Sequence, residues 1–467
     1  MQERAGEYYE NWEVSSSVKR YEAMRKNGSF IYFDVEQFED IVNFYIDTNQ
    51  LNNAQDACNT GLTIHPGSAE LKLKNAQLLV GRGNPTEALN WLNQVSEMQL
   101  GNHEYHLTKG MALVLSGFAS KAQPFFDKAI ELGTTDEKVE IFLNIGEALE
   151  NSGDFQLAIK YYLQGSGFFP NDEEFFFRLG YCYDRTADYD QSIRYYEKYL
   201  DSNPFSENVW FNVGIIYNKA NNFAKAIEAY EFALALDGSH FDALFNKANA
   251  LANAERHPEA IADYEAYLKV NESSLTAKYY IGECYIQLKD FNKALDCFDD
   301  IITENNAFAE AYYGKALVYE ELEQLENAKD MYLKTLAIDK ENSDAHFSLG
   351  GLYDRLGEPE KAIESYFKAT QINKFDIEAW FANAELHARV GNPEGAVTML
   401  TEAIDYMPDF PDLIYTLAAY LFLLGNTEAS VLWFKNAFLL DPDNYQLVFD
   451  IAPDAQHLPE IKQLILK

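Results

Sequence analysis

Between Glu207 and His240 the apolar and small positions fall first at Trp210, Val213, Gly214 and Tyr217, then at Ala226, Ile227, Tyr230, Ala233 and Leu234. Each set follows the i, i+3, i+4, i+7 spacing of an amphipathic helix. Asn221-Asn222 between them predicts a turn, and Asp237-Gly238 predicts the end of the second helix. The segment reads as a helical hairpin. One hairpin leaves its apolar face uncovered, so its stability must come from stacked neighbours.

The neighbours are in the sequence. Gly146, Gly180, Gly214, Ala248, Gly282, Ala316, Gly350, Ala384 and Ala418 each lie 34 residues after the last. Twelve residues beyond each comes Ala158, Ser192, Ala226, Ala260, Ala294, Ala328, Ala362, Ala396 or Ser430. Four further on stands an aromatic or Leu, among them Tyr162, Tyr196, Tyr230, Tyr264, Phe298, Tyr332, Tyr366, Leu400 and Phe434. Upstream, Gly110, Ala76 and Val42 continue the first series and Ala122, Ala88 and Ala54 the second, with a two-residue insertion near Glu137-Lys138. Small residues at two facing positions let two helix backbones approach, and the aromatic fills the gap beside them. A period of this length marks a solenoid. The units are 35–68, 69–102, 103–136 and 139–172, then every 34 residues to 411–444. Many end on proline (Pro66, Pro170, Pro204, Pro408, Pro442), which stops the second helix.

These residues resemble the tetratricopeptide repeat (TPR) family, whose pattern is W-x2-L-G-x2-Y followed by Ala, an aromatic, Ala and Pro. Unit 377–410 carries Trp380, Ala384, Ala396, Ala403 and Pro408; unit 207–240 carries Trp210, Gly214, Tyr217, Ala226, Tyr230 and Ala233. The resemblance implies an all-α, right-handed superhelical solenoid of antiparallel helix pairs. Tyr199, Tyr267, Ile301 and Thr335 stand where the third small residue is usual, which predicts altered packing there.

Outside the period, residues 1–34 read as a capping segment or a degenerate repeat, with a helical stretch from Ser17 to Lys26. The aromatic run Phe30-Ile31-Tyr32-Phe33 is expected to lie over the first unit, and Asp34 with Gln37 has capping-box spacing. In residues 445–467, Leu458, Ile461, Leu464 and Ile465 predict one C-terminal capping helix.

Composition then sets the chemistry. The 467 residues include 37 Lys and Arg against 74 Asp and Glu, a net charge of −37, with 47% hydrophobic and 15% aromatic residues. Such a chain folds, and it is a poor ligand for nucleic acid or anionic membrane, both of which need basic surface. Acids recur near the start of most first helices, among them Glu36, Glu70, Glu140, Glu174 and Glu310, where the helix dipole favours them. Part of the acidity is therefore architecture. No apolar run approaches the ~18 residues of a membrane span, and the polar start lacks a secretory h-region. Four scattered cysteines form no CxxC pair, and the expected location is the reducing cytoplasm. No phosphate loop, dinucleotide fingerprint or nucleophile elbow is present. His103 and His106, three residues apart, read as ordinary histidines rather than a zinc motif. The expectation is a protein without catalytic residues, cofactor or metal.

Function is then expected on the repeat surface. In the family, first helices line a concave groove that contacts an extended peptide or partner helix. Carried over by position, Phe177, Phe211, Phe245, Tyr279, Tyr313, Phe347, Phe381 and Tyr415 form an aromatic row on that wall. Asn144, Arg178, Asn212 and Asn246, with Asn249 one turn on, form a polar row. It resembles the asparagine ladder in the repeat arm of O-linked N-acetylglucosamine transferases, in which each amide offers a donor and an acceptor to a peptide backbone. The same residues can equally serve to buttress neighbouring helices. The polar row fades to Gly314, Leu317, Gly351, Ala382 and Ala419, so the N-terminal half is expected to take the more polar part of a ligand. The carboxylate clamp of co-chaperone repeats is disfavoured, because its Lys position holds Phe or Tyr. The reading is a protein-interaction scaffold for a protein or extended peptide of basic or neutral character. The alternative is a regulatory or substrate-recruiting subunit of a separately encoded enzyme.

Overall fold

The computed structural model describes residues 2–95, 101 and 103–466, with side chains from residue 14 onward. Among the described residues every regular element is helical. The chain divides into two compact units, residues 1–243 and 244–467.

The hairpin read from residues 207–240 forms as two helices, Glu207–Lys219 and Phe223–Leu236. The first ends because Asn221 adopts a left-handed backbone, with φ of 56°. Asn222 then caps the second helix through its side chain, which accepts from the Lys225 N–H. The same turn recurs with glycine at Gly153 and Gly425, where a positive φ carries no steric cost. Ala187, Glu255, Lys289 and Glu323 adopt it as well, each against a penalty of about 1–2 kcal/mol. Backbone bonds hold it there: Ala187 N–H donates to Asp184 O and Asp188 N–H to Tyr183 O, both at 3.0 Å. The Trp at the head of a unit is fixed by the loop before it, since the Trp210 and Trp380 indoles donate to Pro204 O and Lys374 O, each at 3.0 Å.

Packing within a unit follows the two small positions. A Cβ added to Gly180, Gly214 or Gly350 would lie 2.8, 2.5 or 2.7 Å from the ring of Tyr196, Tyr230 or Tyr366. Where serine replaces the second alanine, its hydroxyl is buried and donates across the pair. Ser192 bonds Gly180 O at 2.6 Å, and Ser430 bonds Ala418 O at 2.8 Å. Of the four departures at the third small position, Ile301 and Thr335 are buried. Tyr199 and Tyr267 turn instead toward the first helix and pack on Phe177 and Phe245, with centroids 5.8 and 5.1 Å apart.

In the first unit the N-terminal helix is longer than the sequence suggested, running Gln2–Asn27. Tyr21 on it is fully buried among Phe33, Phe38 and Tyr45 at 6.2–6.5 Å. The aromatic run does not act as a lid throughout: Phe33 is buried, whereas Phe30 and Tyr32 are 75% and 59% exposed. Asp34 and Gln37 close the reciprocal cap expected from their spacing, at 2.9 and 3.2 Å. The helix Pro85–Leu92 is short, and residues 96–100 and 102 of unit 69–102 lie outside the described residues. The insertion near Glu137-Lys138 is absorbed by extending a helix backwards, so that it runs Thr135–Asn151. Glu137 stabilises the new start by accepting from the Thr134 N–H at 2.8 Å, which holds its carboxyl below the usual range.

In the second unit the expectation of one C-terminal helix is corrected. The segment forms three short pieces, Gln446–Ile451, Pro453–His457 and Pro459–Ile465. Pro453 and Pro459 each start a new piece because neither can continue the preceding helix. Val448, Ala455 and Ile461 are buried in one cluster with Phe434, so the apolar spacing is satisfied by a folded-back strand of turns rather than by one rod.

One buried residue breaks the pattern. Asn383 is fully buried, and both atoms of its amide lack a hydrogen-bond partner. The same register holds Ile145, Leu179, Val213, Ile281, Leu349 and Leu417 in six other repeats, and Lys247 and Lys315 in two. An unsatisfied buried amide costs about 1–3 kcal/mol. Asn383→Leu is therefore expected to raise stability by that order, read as a higher denaturation midpoint of the second unit. A lower midpoint would show that the amide is satisfied.

Candidate binding surface

The aromatic row is directed into the repeats. Each ring meets the large residue nineteen positions later on the second helix of its own unit. Phe177–Tyr196, Phe211–Tyr230, Phe245–Tyr264, Tyr279–Phe298, Tyr313–Tyr332 and Phe347–Tyr366 have centroids 5.6–5.9 Å apart, and Tyr415–Phe434 5.5 Å. Tyr415 is wholly buried. Phe381 has Leu400 in the facing position and is packed against the core around it. Paired rings of this kind contribute roughly 0.5–1.5 kcal/mol beyond burial. The row is built first of all to brace each hairpin.

The polar row is likewise partly committed within the protein. Arg178 bonds Glu174 at 2.8 Å and Glu150 at 3.4 Å. Asn212 is hydrogen bonded to Tyr196. Asn249 Oδ1 accepts the Tyr264 hydroxyl. Asn246 is half-buried.

Asn144 differs. It lines a cleft of about 450 Å³ in the first unit, formed by the first helices of four successive units. Three residues at 34-residue spacing, Asn43, Gln77 and Met111, run along it. Lys74 and Thr108 stand in the register of the polar row, and Glu104 and Glu140 enter from the helix starts. From the sequence Glu140 was assigned to the helix dipole, while Glu104, Asn43 and Gln77 were passed over. Their spacing was visible, but nothing in a linear pattern says which flank of a helix faces its neighbours' first helices. Gln77 Nε2 donates to Glu104 Oε2 at 3.4 Å, and His103 Nδ1 lies 3.3 Å from Glu137. With Lys74 against Glu104, Glu137 and Glu140, the lining is acidic. It can offer amides to a peptide backbone and carboxylates to a cation.

Other chemistry is thin. His106 is buried apart from its neighbour's ion pair, and among the described residues no group of three or more His, Cys, Asp or Glu could hold a metal. All four cysteines are free. Burial pushes the Cys58 thiol up to about 12 and those of Cys284 and Cys297 to about 11, so they stay protonated at neutral pH. Among the described residues no helix is long and apolar enough to cross a membrane.

A ladder of ion pairs links consecutive units at a spacing of 35 residues. Lys219 meets Asp184 at 2.7 Å in the first unit; in the second, Arg355 meets Glu320 at 2.9 Å and Arg389 meets Asp354. Each is half-exposed and contributes at most about 1 kcal/mol. The corresponding cation positions 253, 287 and 321 hold Asn, Gln and Glu, and the acid positions 218, 252 and 286 hold Asn, Ala and Ile, so the ladder is interrupted there.

The fold and this surface define an all-helical repeat scaffold. Models of the tetratricopeptide repeat match residues 45–111, 143–207, 214–269, 247–310, 309–342 and 331–364. The chain belongs to the tetratricopeptide repeat family, a family of protein-interaction modules that typically lack catalytic activity. Among solved structures it is similar to YrrB, described as a TPR protein with an unusual peptide-binding site, at 24% identity over 42% of this chain and 98% of that one, with a TM-score of 0.33. It is also similar to yeast Tom70, at 15% identity over 92% of this chain and 98% of that one (TM-score 0.46). MamA matches at 24% identity over 34% of this chain and 92% of its own (TM-score 0.30). No curated protein matches the sequence.

Proposed function

We propose that this protein is a non-catalytic interaction scaffold that holds an extended partner segment along the first helices of its repeats, with residues 35–444 as twelve repeats flanked by two caps. The segment's main seat is the cleft of residues 43–144. The observation that carries this reading is the lining itself: amide and carboxylate side chains from four successive first helices, repeated at the period of the chain, border one continuous space. Extended peptide backbone presents donors and acceptors at regular intervals, and such a row can meet them. A net charge of −37 favours a basic or neutral partner, mainly by raising the association rate at low salt. The four unpaired thiols suit a reducing compartment, the cytoplasm.

The test is capture of partners by the full chain at low and high salt, comparing wild type with the triple variant Gln77→Ala, Glu104→Ala, Asn144→Ala. Phe211 and Phe245 are poor choices for such a variant because their rings brace the fold. The expected result is loss of the captured partner with an unchanged helical circular dichroism signal. A partner retained at full stoichiometry would remove the cleft from the assignment.

A further inference from the structure

The interrupted ladder in the second unit coincides with a second cleft, of about 650 Å³. Its lining includes Tyr264, Tyr280, Glu283, His257, Gln287 and Leu317. Tyr264 and Tyr280 stack with centroids 5.8 Å apart and planes 23° from parallel. Glu283 is half-buried and accepts the Tyr279 hydroxyl at 2.8 Å. Burial holds its carboxyl above the usual range, with only that hydroxyl opposing and no cation contributing.

Four lysines of the surrounding repeats are engaged by other acids: Lys247 with Asp263, Lys278 with Glu304, Lys293 with Asp290 and Lys315 with Asp299. His257 Nδ1, on the wall of the same cleft, is buried without a hydrogen-bond partner. Elsewhere along this face the protein supplies its own cation to an inward acid, as Arg355 does for Glu320. Here the ladder's acid positions 252 and 286 hold Ala and Ile, and the inward acid is Glu283, one turn before 286, in a cleft whose lining contains no Lys or Arg. A desolvated carboxylate beside aromatic faces is the environment that a guanidinium or ammonium group satisfies, by charge and by cation–π attraction.

We infer that the Glu283 cleft is an anchor pocket for one Lys or Arg side chain of the partner segment, which supplies the cation that the cleft lacks. This rests on the scaffold reading above and adds the residue class that the second unit selects. Contact with Glu283 supplies the charge pair, the half-buried Tyr280 ring, backed by Tyr264, covers the aliphatic stem, and Leu317 closes the far wall.

The experiment is selection of a displayed library of random twelve-residue peptides on the full chain, followed by affinity measurement of the enriched sequences. The expected result is a position dominated by Lys or Arg. Peptides carrying it should bind Glu283→Gln at least about tenfold more weakly than wild type. A norleucine replacement at that position should erase the difference between the two proteins. Tyr280→Leu gives a second, uncharged route to weakened binding of the basic peptide. Enriched peptides without a basic position, or basic peptides that bind Glu283→Gln as tightly as wild type, overturn the anchor and leave the scaffold reading standing. Basic peptides that depend on Glu104 instead also overturn it. Failure to enrich any peptide overturns both.

Discussion

Gly146→Val is expected to destabilise the first unit by about 3 kcal/mol, at the upper end of what forced overpacking costs. Even a Cβ at this position overlaps the ring of Tyr162. That ring has nowhere to go. It is fully buried, its hydroxyl donates to Glu150 Oε1 at 2.6 Å, and Phe175 packs against it at 6.4 Å. Moving it would break a bond to a carboxylate that Arg178 also holds. The control is Gly167→Ala, in the last turn of the helix Phe155–Phe168, where an added Cβ meets nothing within 4 Å. Alanine there should stabilise by up to about 1 kcal/mol, the helix-propensity difference. Urea denaturation of both variants separates the two cases. A Gly146→Val chain as stable as wild type would mean that the two helices of 139–172 do not approach as described.

Phe298→Ala is expected to cost about 3–5 kcal/mol in the second unit. This ring serves two repeats at once. A Cβ on Gly282 of its own repeat would lie 2.6 Å from it, and one on Gly314 of the following repeat 2.5 Å. Tyr279 leans on it at 5.8 Å. Truncation therefore opens a cavity at the joint between 275–308 and 309–342, and in a stacked array the loss should appear as faster amide exchange in both repeats. Gly282→Ala, harmful alone, should become nearly neutral in the Phe298→Ala background because the ring it collides with is gone. A double-mutant cycle showing simple additivity would contradict the shared contact.

These two effects rest on residues that the linear pattern already singled out. The small residue, the alanine twelve positions later and the aromatic four beyond that are visible as a period, and the structure turns the period into ring-on-glycine contacts. The terminal segments were less legible. Leu458, Ile461 and Leu464 have helical spacing, yet Pro453 and Pro459 divide the segment into short pieces, and the apolar residues reach the core by folding back. Around Glu137 the opposite happened, since what interrupted the period became an added helical turn.

The candidate surface shows the same division. The position of Phe211 and Phe245 relative to the repeat was readable, but the direction of their rings was not, because a half-buried aromatic next to a helix pair fits either role. Asn212 shares a repeat register with Asn144 and Asn249 lies one turn beyond it, and tyrosine hydroxyls from the second helices claim Asn212 and Asn249. Such bonds join residues fifteen or sixteen positions apart, across a turn whose geometry is set by three-dimensional packing.

The sequence by itself determined the helix pairs, their period, the small-on-large packing and the acidic balance, because these depend on spacings within one or two helical turns and on composition. Only the tertiary structure decided which polar side chains are spent inside the protein and which border open space. That choice depends on how neighbouring first helices stack. It turned the aromatic row into bracing, set Asn43 and Gln77 beside Asn144, and left Glu283 facing two tyrosine rings with no cation of its own.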